Sequence, residues 1–527
     1  MAKSRTPGQW QSPRSVFFLC LLFFSLIATA WSLATPISGG PDEPAHIIKA
    51  ASVVRGEFNG PTAPDGKQIV HVPAYVGYTS VQTCFAYRVN VVPTCSGQLA
   101  GDPWKTVLAE TSAGRYNPTY YLLVGWPTLI VHDASAIIWV RVVSGILSSV
   151  FLALTLSLIS SWRRRLLPTI GFAAAVTPMV FFINGVVNPS SLETTATQAA
   201  FTGVLSIVLF PARRLLAHRA AIVIVSACVA ANMRGISPLW VAIAVLTPFL
   251  LVPRTRILVF ARMRAVRVAV VTIAAGTGAA VIWTLFSNSL GAGLTPTTNL
   301  ESVNGTGASP LRGFALVFAG TFDYARGIVG RFGWEDTSSP SAVYFLWSLL
   351  AGGLLLAALV TLRGRPLTLA IVLLGLTILT PALLQGIYIT KGGVVWQGRY
   401  TLPIFTCLMV GVATVLAARF SRADPAIGRR LVYLVLPLWA GGNLASFAYT
   451  LKRYGVGLDG DSWKKLLLDP NWVPPGGTIL LLGLATVSLI LAAVFLMRFA
   501  LDGRWRAGGA LRMPGSDRAP DRITIDE

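Results

Sequence analysis

Along the chain, long apolar runs alternate with short polar links, and the spacing is that of a membrane rather than of a soluble core. Runs of about 20 residues, nearly free of charge, recur near 15–35, 136–160, 166–183, 191–210, 218–233 and 237–252. They continue near 266–286, 341–361, 366–389, 400–418, 431–449 and 476–499. A helix of about that length crosses the hydrocarbon layer. The pattern therefore predicts an all-α integral membrane protein, a polytopic bundle of about 12 transmembrane helices (range about 11–13). The stretch NPTYYLLVGWPTLIV (117–131) is apolar too, but short, aromatic and broken by Pro127. It reads as a helix lying along the outer interface; as a further span it would invert everything after it.

Charge settles that choice. With the N-terminus cytoplasmic, the inner links carry Arg163, Arg164 and Arg165, then Arg213, Arg214 and Arg219. Five arginines follow between 254 and 267, then Arg363 and Arg365, four between 419 and 430, and a basic C-terminal tail. Every short inner link is basic, as the positive-inside rule requires, and one more span would break the pattern. The expected plan is a cytoplasmic tail 1–14, a membrane domain 15–499 and a cytoplasmic tail 500–527, in a bacterial plasma membrane. The large outer loops are 36–135, 287–340 and 450–475, and they hold most of the acids. The first run contains ATA at 28–30, like a signal-peptide cleavage site, but it is too long for one and reads as an uncleaved anchor.

Composition agrees: 54% of the residues are hydrophobic and 12% charged, with a mean hydropathy of +0.64. Soluble domains carry about 25% charged residues. The net charge of +22 lies in links between apolar runs and not on a face interleaved with stacking aromatics, which excludes nucleic acid as a partner. The lipid bilayer is the partner the composition requires. Cys84 and Cys95, in TCFAYRVNVVPTC of the first outer loop, are placed to form a disulfide in an oxidising compartment, or to stay unpaired. Cys20, Cys228 and Cys407 lie within spans and read as buried thiols.

Chemistry, if present, belongs to the outer side. PDEPAH (41–46) follows the first span directly. Asp42 suits a helix N-cap, Glu43 the first turn and Pro44 the helix start. Capping leaves His46 and Lys49 unexplained; at i+4 and i+7 they are expected on Asp42's face. A carboxylate, an imidazole and an ammonium there suit an acceptor hydroxyl and a lipid phosphate, with the acid as general base. NGVVNPSSLE (184–193) places Asn188 and Glu193 at an outer junction, as a capping box or as a wet acid at a span entrance. Arg234 in ANMRGISPLW stands at another junction, snorkelling or binding. Trp334, Glu335 and Asp336 in GRFGWEDTSSP form a turn with an interfacial tryptophan, or a sugar- or metal-binding lip. Lys391, Arg399 and Tyr400 in KGGVVWQGRYTLP suit a phosphate clamp, or headgroup anchoring. Asp459 to Asp461 (DGD) lacks the rest of a calcium-loop pattern.

No Walker A, zinc-protease, serine-hydrolase or paired-cysteine motif is present, and the inner links are too short for a nucleotide domain. The ordered set PDEPAH, NPTYY, NPSSLE, GWEDTSSP and QGRYTLP, over about residues 12 to 500, resembles the domain of unknown function 2142 family of bacterial multi-pass proteins. That family resembles the GT-C superfamily of membrane glycosyltransferases, whose first outer loop carries an acidic motif. Protein O-mannosyltransferases have a similar Asp-Glu followed by histidine, and aminoarabinose transferases a comparable acidic start.

The resemblance implies a polyprenyl-phosphate-linked sugar as donor and a cell-envelope glycan, lipid or protein as acceptor. It implies Asp42 as base or positioning acid, Glu43 and His46 as its supports, and Lys391, Arg399 and Arg234 near the lipid phosphate. The acids at 42, 43, 193, 335 and 336 are read as a candidate oxygen-ligand set for a divalent ion such as Mg or Mn. Two other classes stay open: a transporter or flippase of lipid-linked sugars, and a polysaccharide polymerase or ligase. The first would need ionisable residues deep inside helices. The second would lean on arginines more than on Asp42.

Overall fold

The computed structural model describes residues 12–97, 99, 102, 104–291, 305–420, 425–459 and 462–502. The tail beyond 502, the first residues of the N-terminal tail and the DGD residues 460 and 461 lie outside them. All twelve apolar segments are helical. Among the described residues nine helices are long and apolar enough to cross a membrane, or ten if a bent pair counts as one span. Of the remaining two segments, Ser190–Leu209 is rich in Ser, Thr and Gln, and Ser237–Leu246 is short and continued by a tight turn of helix, Thr247–Leu251. Ser190–Leu209 tolerates its polarity because it is buried on nearly every side, against Ser135–Ser160, Arg213–Ala231 and Leu402–Arg419. Its hydroxyls return to its own backbone, as Thr195 and Thr202 do to Ser191 and Gln198.

The bent pair Leu166–Ala175 and Pro178–Asn184 turns by 62°. Proline removes a backbone donor and disfavours helix just before it, so the ladder breaks at Val176 and Thr177. Carbonyls freed in lipid need new donors. Trp347 and Trp439 supply indole N–H groups to Ala174 and Val176, at 3.1 and 2.9 Å. The second half of the pair thereby runs into NGVVNPSS at the loop-bearing end of the bundle. At the opposite end, arginines of the basic links cap helix termini: Arg164 donates to Ala417 and Ala418, and Arg363 to Leu362.

At the loop end the short helix Glu43–Val53 lies beside Thr119–Gly125, and Pro127–Ile130 follows against Ser135–Ser160. Thr119–Gly125 and Pro127–Ile130 are far too short to cross a bilayer, as expected for 117–131, and Trp126, Leu129 and Ile130 are exposed. The antiparallel strands Gln68–Pro73 and Thr106–Thr111, registered Gln68 to Thr111, close the first loop. Cys84 and Cys95 are disulfide-bonded, with Cα atoms 6.1 Å apart. A two-residue ladder, Arg331–Phe332 with Thr337–Ser338, presents the GWED turn. The three large loops interlock. Trp334 donates to the Ser38 carbonyl at 3.0 Å, and Asn90 to Asp459 at 2.8 Å.

Candidate active site

Asp42 stands at the N-cap position of Glu43–Val53, yet its side chain caps nothing. Its backbone is left-handed, with φ of 59°, a conformation that costs a non-glycine residue of order 1 kcal/mol or more. That geometry turns the carboxylate off the helix axis. It is 50% exposed and pairs with Arg399 Nη2 at 2.8 Å. Glu43, the first helical residue, turns its carboxylate back and accepts the Gly40 N–H at 3.0 Å.

Glu43 faces away from Asp42, into the bundle. Arg141 holds it with two bonds, from Nε at 2.7 Å and Nη2 at 2.6 Å, and the Val187 N–H adds a third donor at 2.9 Å. The same guanidinium takes the carbonyls of Ser32, Thr35 and Pro36. Both side chains are buried, so Glu43 is a fully satisfied clamp that ties the end of the first span to the loop. Lys49 departs from the expected common face. Since Asp42 is not helical, the i+7 relation does not hold, and the Lys49 ammonium is buried against the carbonyls of Phe58 and Gly114. Burial lowers it to about 8, with Glu57 pulling the other way.

His46 does stay near Asp42. Its Nδ1 lies 2.9 Å from the Tyr121 hydroxyl and its ring packs against Tyr121 and Tyr116. Burial lowers it to about 3; Asp42 opposes this, while Arg234 and Arg399 reinforce it, so the imidazole is neutral at neutral pH. For Asp42, burial favours the neutral acid. Arg399 above all, with Arg234 adding to it, outweighs this and holds it below the usual carboxylate range.

Two cations converge here from distant parts of the chain. The Cζ atoms of Arg234 and Arg399 lie 4.2 and 4.9 Å from the centroid of the Tyr400 ring. Arg234 also donates to Ser190 Oγ at 3.0 Å and approaches the ring of Tyr116. Arg399 reaches this place because QGRY packs backbone to backbone on the helix Thr321–Gly330: a Cβ on Gly398 would sit 2.3 Å from the Tyr324 carbonyl. Glu193 lies beneath, bonded by the Ser237 hydroxyl at 2.6 Å. Asn188 positions the loop, donating to the Pro41 carbonyl at 3.1 Å while accepting the Ser190 N–H at 3.0 Å.

The GWED turn forms the rim. Glu335, at φ of 65°, is half-buried, and partial burial raises its carboxyl, with Arg399 and Arg331 opposing and Asp42 and Asp323 adding to the rise. The two acids of the mouth are thus pushed apart, Asp42 down and Glu335 up, the pattern that separates acid from base roles. Asp336 is structural, accepting the Tyr87 N–H at 3.0 Å and pairing with buried Arg453 at 3.3 Å. Lys391 is exposed at the end of Gly364–Gly392 and makes no ion pair among the described residues. The five acids read as a ligand set do not gather: among the described residues no group of three or more His, Cys, Asp or Glu is disposed to hold a metal ion.

A family profile described as "Predicted membrane protein (DUF2142)" matches residues 23–409. The chain belongs to the DUF2142 family. It is also similar in structure to ArnT from Cupriavidus metallidurans bound to undecaprenyl phosphate, at 14% identity and a TM-score of 0.42, over 91% of this chain and 76% of that one. The apo state of the same ArnT matches at 12% identity and a TM-score of 0.39, with the same coverage. No curated protein matches.

Sequence reasoning missed four members of this DUF2142 site and its frame. Arg141 was the most legible, because an arginine two turns inside an otherwise apolar span marks a buried partner. Arg453 carried no such signal, since beside Lys452 it reads as part of a polar loop. Tyr87 and Tyr116 carried none, since an aromatic residue in a long loop looks the same wherever it points.

Proposed function

We propose that the chain is a membrane glycosyltransferase that moves a sugar from a polyprenyl-phosphate donor to a cell-envelope acceptor at the extracytoplasmic surface. The observation that carries this reading is an exposed carboxylate, Asp42, beside two guanidinium groups that share the Tyr400 ring at the loop end of a membrane bundle. Guanidinium forks suit phosphate oxygens. The resemblance of PDEPAH to the acidic first-loop motif of GT-C enzymes supports the reaction class.

In the reaction, the acceptor oxygen attacks the anomeric carbon as the bond from that carbon to the phosphate oxygen breaks. The electron pair leaves with the polyprenyl phosphate, and configuration inverts. The acceptor proton passes to Asp42. Arg399 and Arg234 stabilise the departing phosphate, where a preorganised cation is most effective. Arg399 pairs with Asp42 before the donor arrives, which holds the carboxylate ionised. Turning toward phosphate, Arg399 would release Asp42 as a stronger base.

An Asp42→Asn strain tests this against wild type, with lipid-carrier and envelope-glycan profiles and the membrane level of the protein measured together. Loss of the base is expected to slow transfer by about 10²–10⁴-fold, so that a polyprenyl-phosphate sugar accumulates and one glycan decoration disappears. Unchanged carriers and glycans at normal protein level would sink the reading and favour a flippase.

A further inference from the structure

Near the site stands an aromatic pair that the transfer chemistry does not use. Tyr87 is 72% exposed, and its backbone is left-handed at φ of 60°. A large exposed ring in such a conformation persists only if its surroundings impose it, and here they do. The Cys84–Cys95 disulfide closes the hairpin that carries it. Asp336 accepts its N–H, and buried Arg453, which pairs with Asp336, takes the carbonyls of Phe85, Arg88 and Val91. The ring lies 5.9 Å from that of Trp334, whose indole N–H is fixed on the Ser38 carbonyl. Glu335 follows Trp334 and makes no ion pair among the described residues. Trp334 holds the Ser38 carbonyl four residues before Asp42, and Tyr87 is tied to Asp336 next to Glu335, so the pair stands beside the Asp42 site.

We propose that Tyr87 and Trp334 form an aromatic platform for a saccharide ring, with Glu335 accepting hydrogen bonds from its hydroxyls. Aromatic faces bind the C–H faces of a sugar, and a carboxylate beside them accepts from its O–H groups. Anchoring in lipid headgroups fits less well, because neighbouring carboxylates repel phosphate. A cationic ligand is disfavoured by Arg399 and Arg331, which offset the acids. Under the transferase reading this ligand is the acceptor, and the acceptor class is then a glycan rather than a protein or a plain lipid hydroxyl.

Saturation-transfer-difference NMR on the full chain in nanodiscs tests the platform, with α-1,6-mannotetraose, maltotetraose and β-1,4-galactotetraose as probes. At least one is expected to receive saturation, concentrated on ring C–H protons. Tyr87→Ala should weaken its binding about tenfold, the scale of one stacking contact, while Tyr87→Phe stays within about twofold because the ring remains. Glu335→Gln, which keeps volume and backbone, should weaken it about fivefold through loss of a charged acceptor. No saturation of any probe, or binding indifferent to both Tyr87→Ala and Glu335→Gln, would overturn the platform. Tyr87→Phe falling as far as Tyr87→Ala would do the same. The readout needs neither donor nor turnover, so it stands or falls separately from the effect of Asp42→Asn.

Discussion

At the scale of single residues, the loop end separates groups that hold structure from groups left free to react. Glu43, Asp336 and Lys49 have every strong partner they need and are buried. Asp42 and Glu335, each next to one of them in sequence, sit in left-handed backbone and keep their carboxylates accessible. Adjacent acids in PDE and WED thus divide their roles through a left-handed φ at one and a distant arginine at the other. His46 belongs with the buried groups, and its titration gives a testable sign. Its folded value, about 3, lies below the ordinary 6.5. The unfolded chain therefore binds the proton more readily, and stability is lost as pH falls from about 6.5 toward 3. His46→Gln should flatten part of the drop in melting temperature between pH 7 and pH 5, measured in detergent. An unchanged slope would mean that His46 is already solvated in the folded state.

At the scale of elements, one buried ion pair fixes how the helix Glu43–Val53 meets the spans. Arg141, in the second turn of Ser135–Ser160, joins that span to the end of Pro13–Ala34 and to the Glu43 carboxylate. Removing one member leaves the other charge unpaired in low dielectric, which costs about 3–5 kcal/mol. Arg141→Met should lower thermal stability on that scale, and Arg141→Met with Glu43→Gln should recover much of it. A double variant no better than the single one would show that the carbonyls of Ser32, Thr35 and Pro36 matter more than the charge. The element pattern was largely legible from sequence, because a bilayer imposes a length and an apolar composition that read directly. The exceptions are instructive. Ser190–Leu209 is polar for a span and survives by burial among helices, and the 166–184 segment bends at Pro178, with two distant tryptophans satisfying its open carbonyls.

At the scale of the whole molecule, the basic links lie at one end of the bundle and the acids of the site at the other. The sidedness proposed from the positive-inside rule predicts that Asp65→Cys, in the first loop, reacts with a membrane-impermeant maleimide in intact cells. Arg363→Cys should react only after lysis. Both belong in a background where Cys20, Cys228 and Cys407 are replaced, with Cys84 and Cys95 left paired. The reverse pattern would place the loop end, and with it Asp42, in the cytoplasm.

The sequence by itself determined the helical segments and the loops large enough to carry chemistry, and it named two cysteines able to pair and a set of loop residues with chemical potential. Those features follow from local composition, from charge next to apolar runs and from cysteine spacing, none of which requires knowledge of distant contacts. Only the tertiary structure decided which of those residues meet. It placed Arg399 on Asp42 across 357 positions, and sent Glu43 to Arg141 and Lys49 to backbone carbonyls. It also put Tyr87 beside Trp334. The reason is physical: a side chain's partner depends on a backbone dihedral at its own position and on helix packing far along the chain, and neither leaves a mark on neighbouring letters.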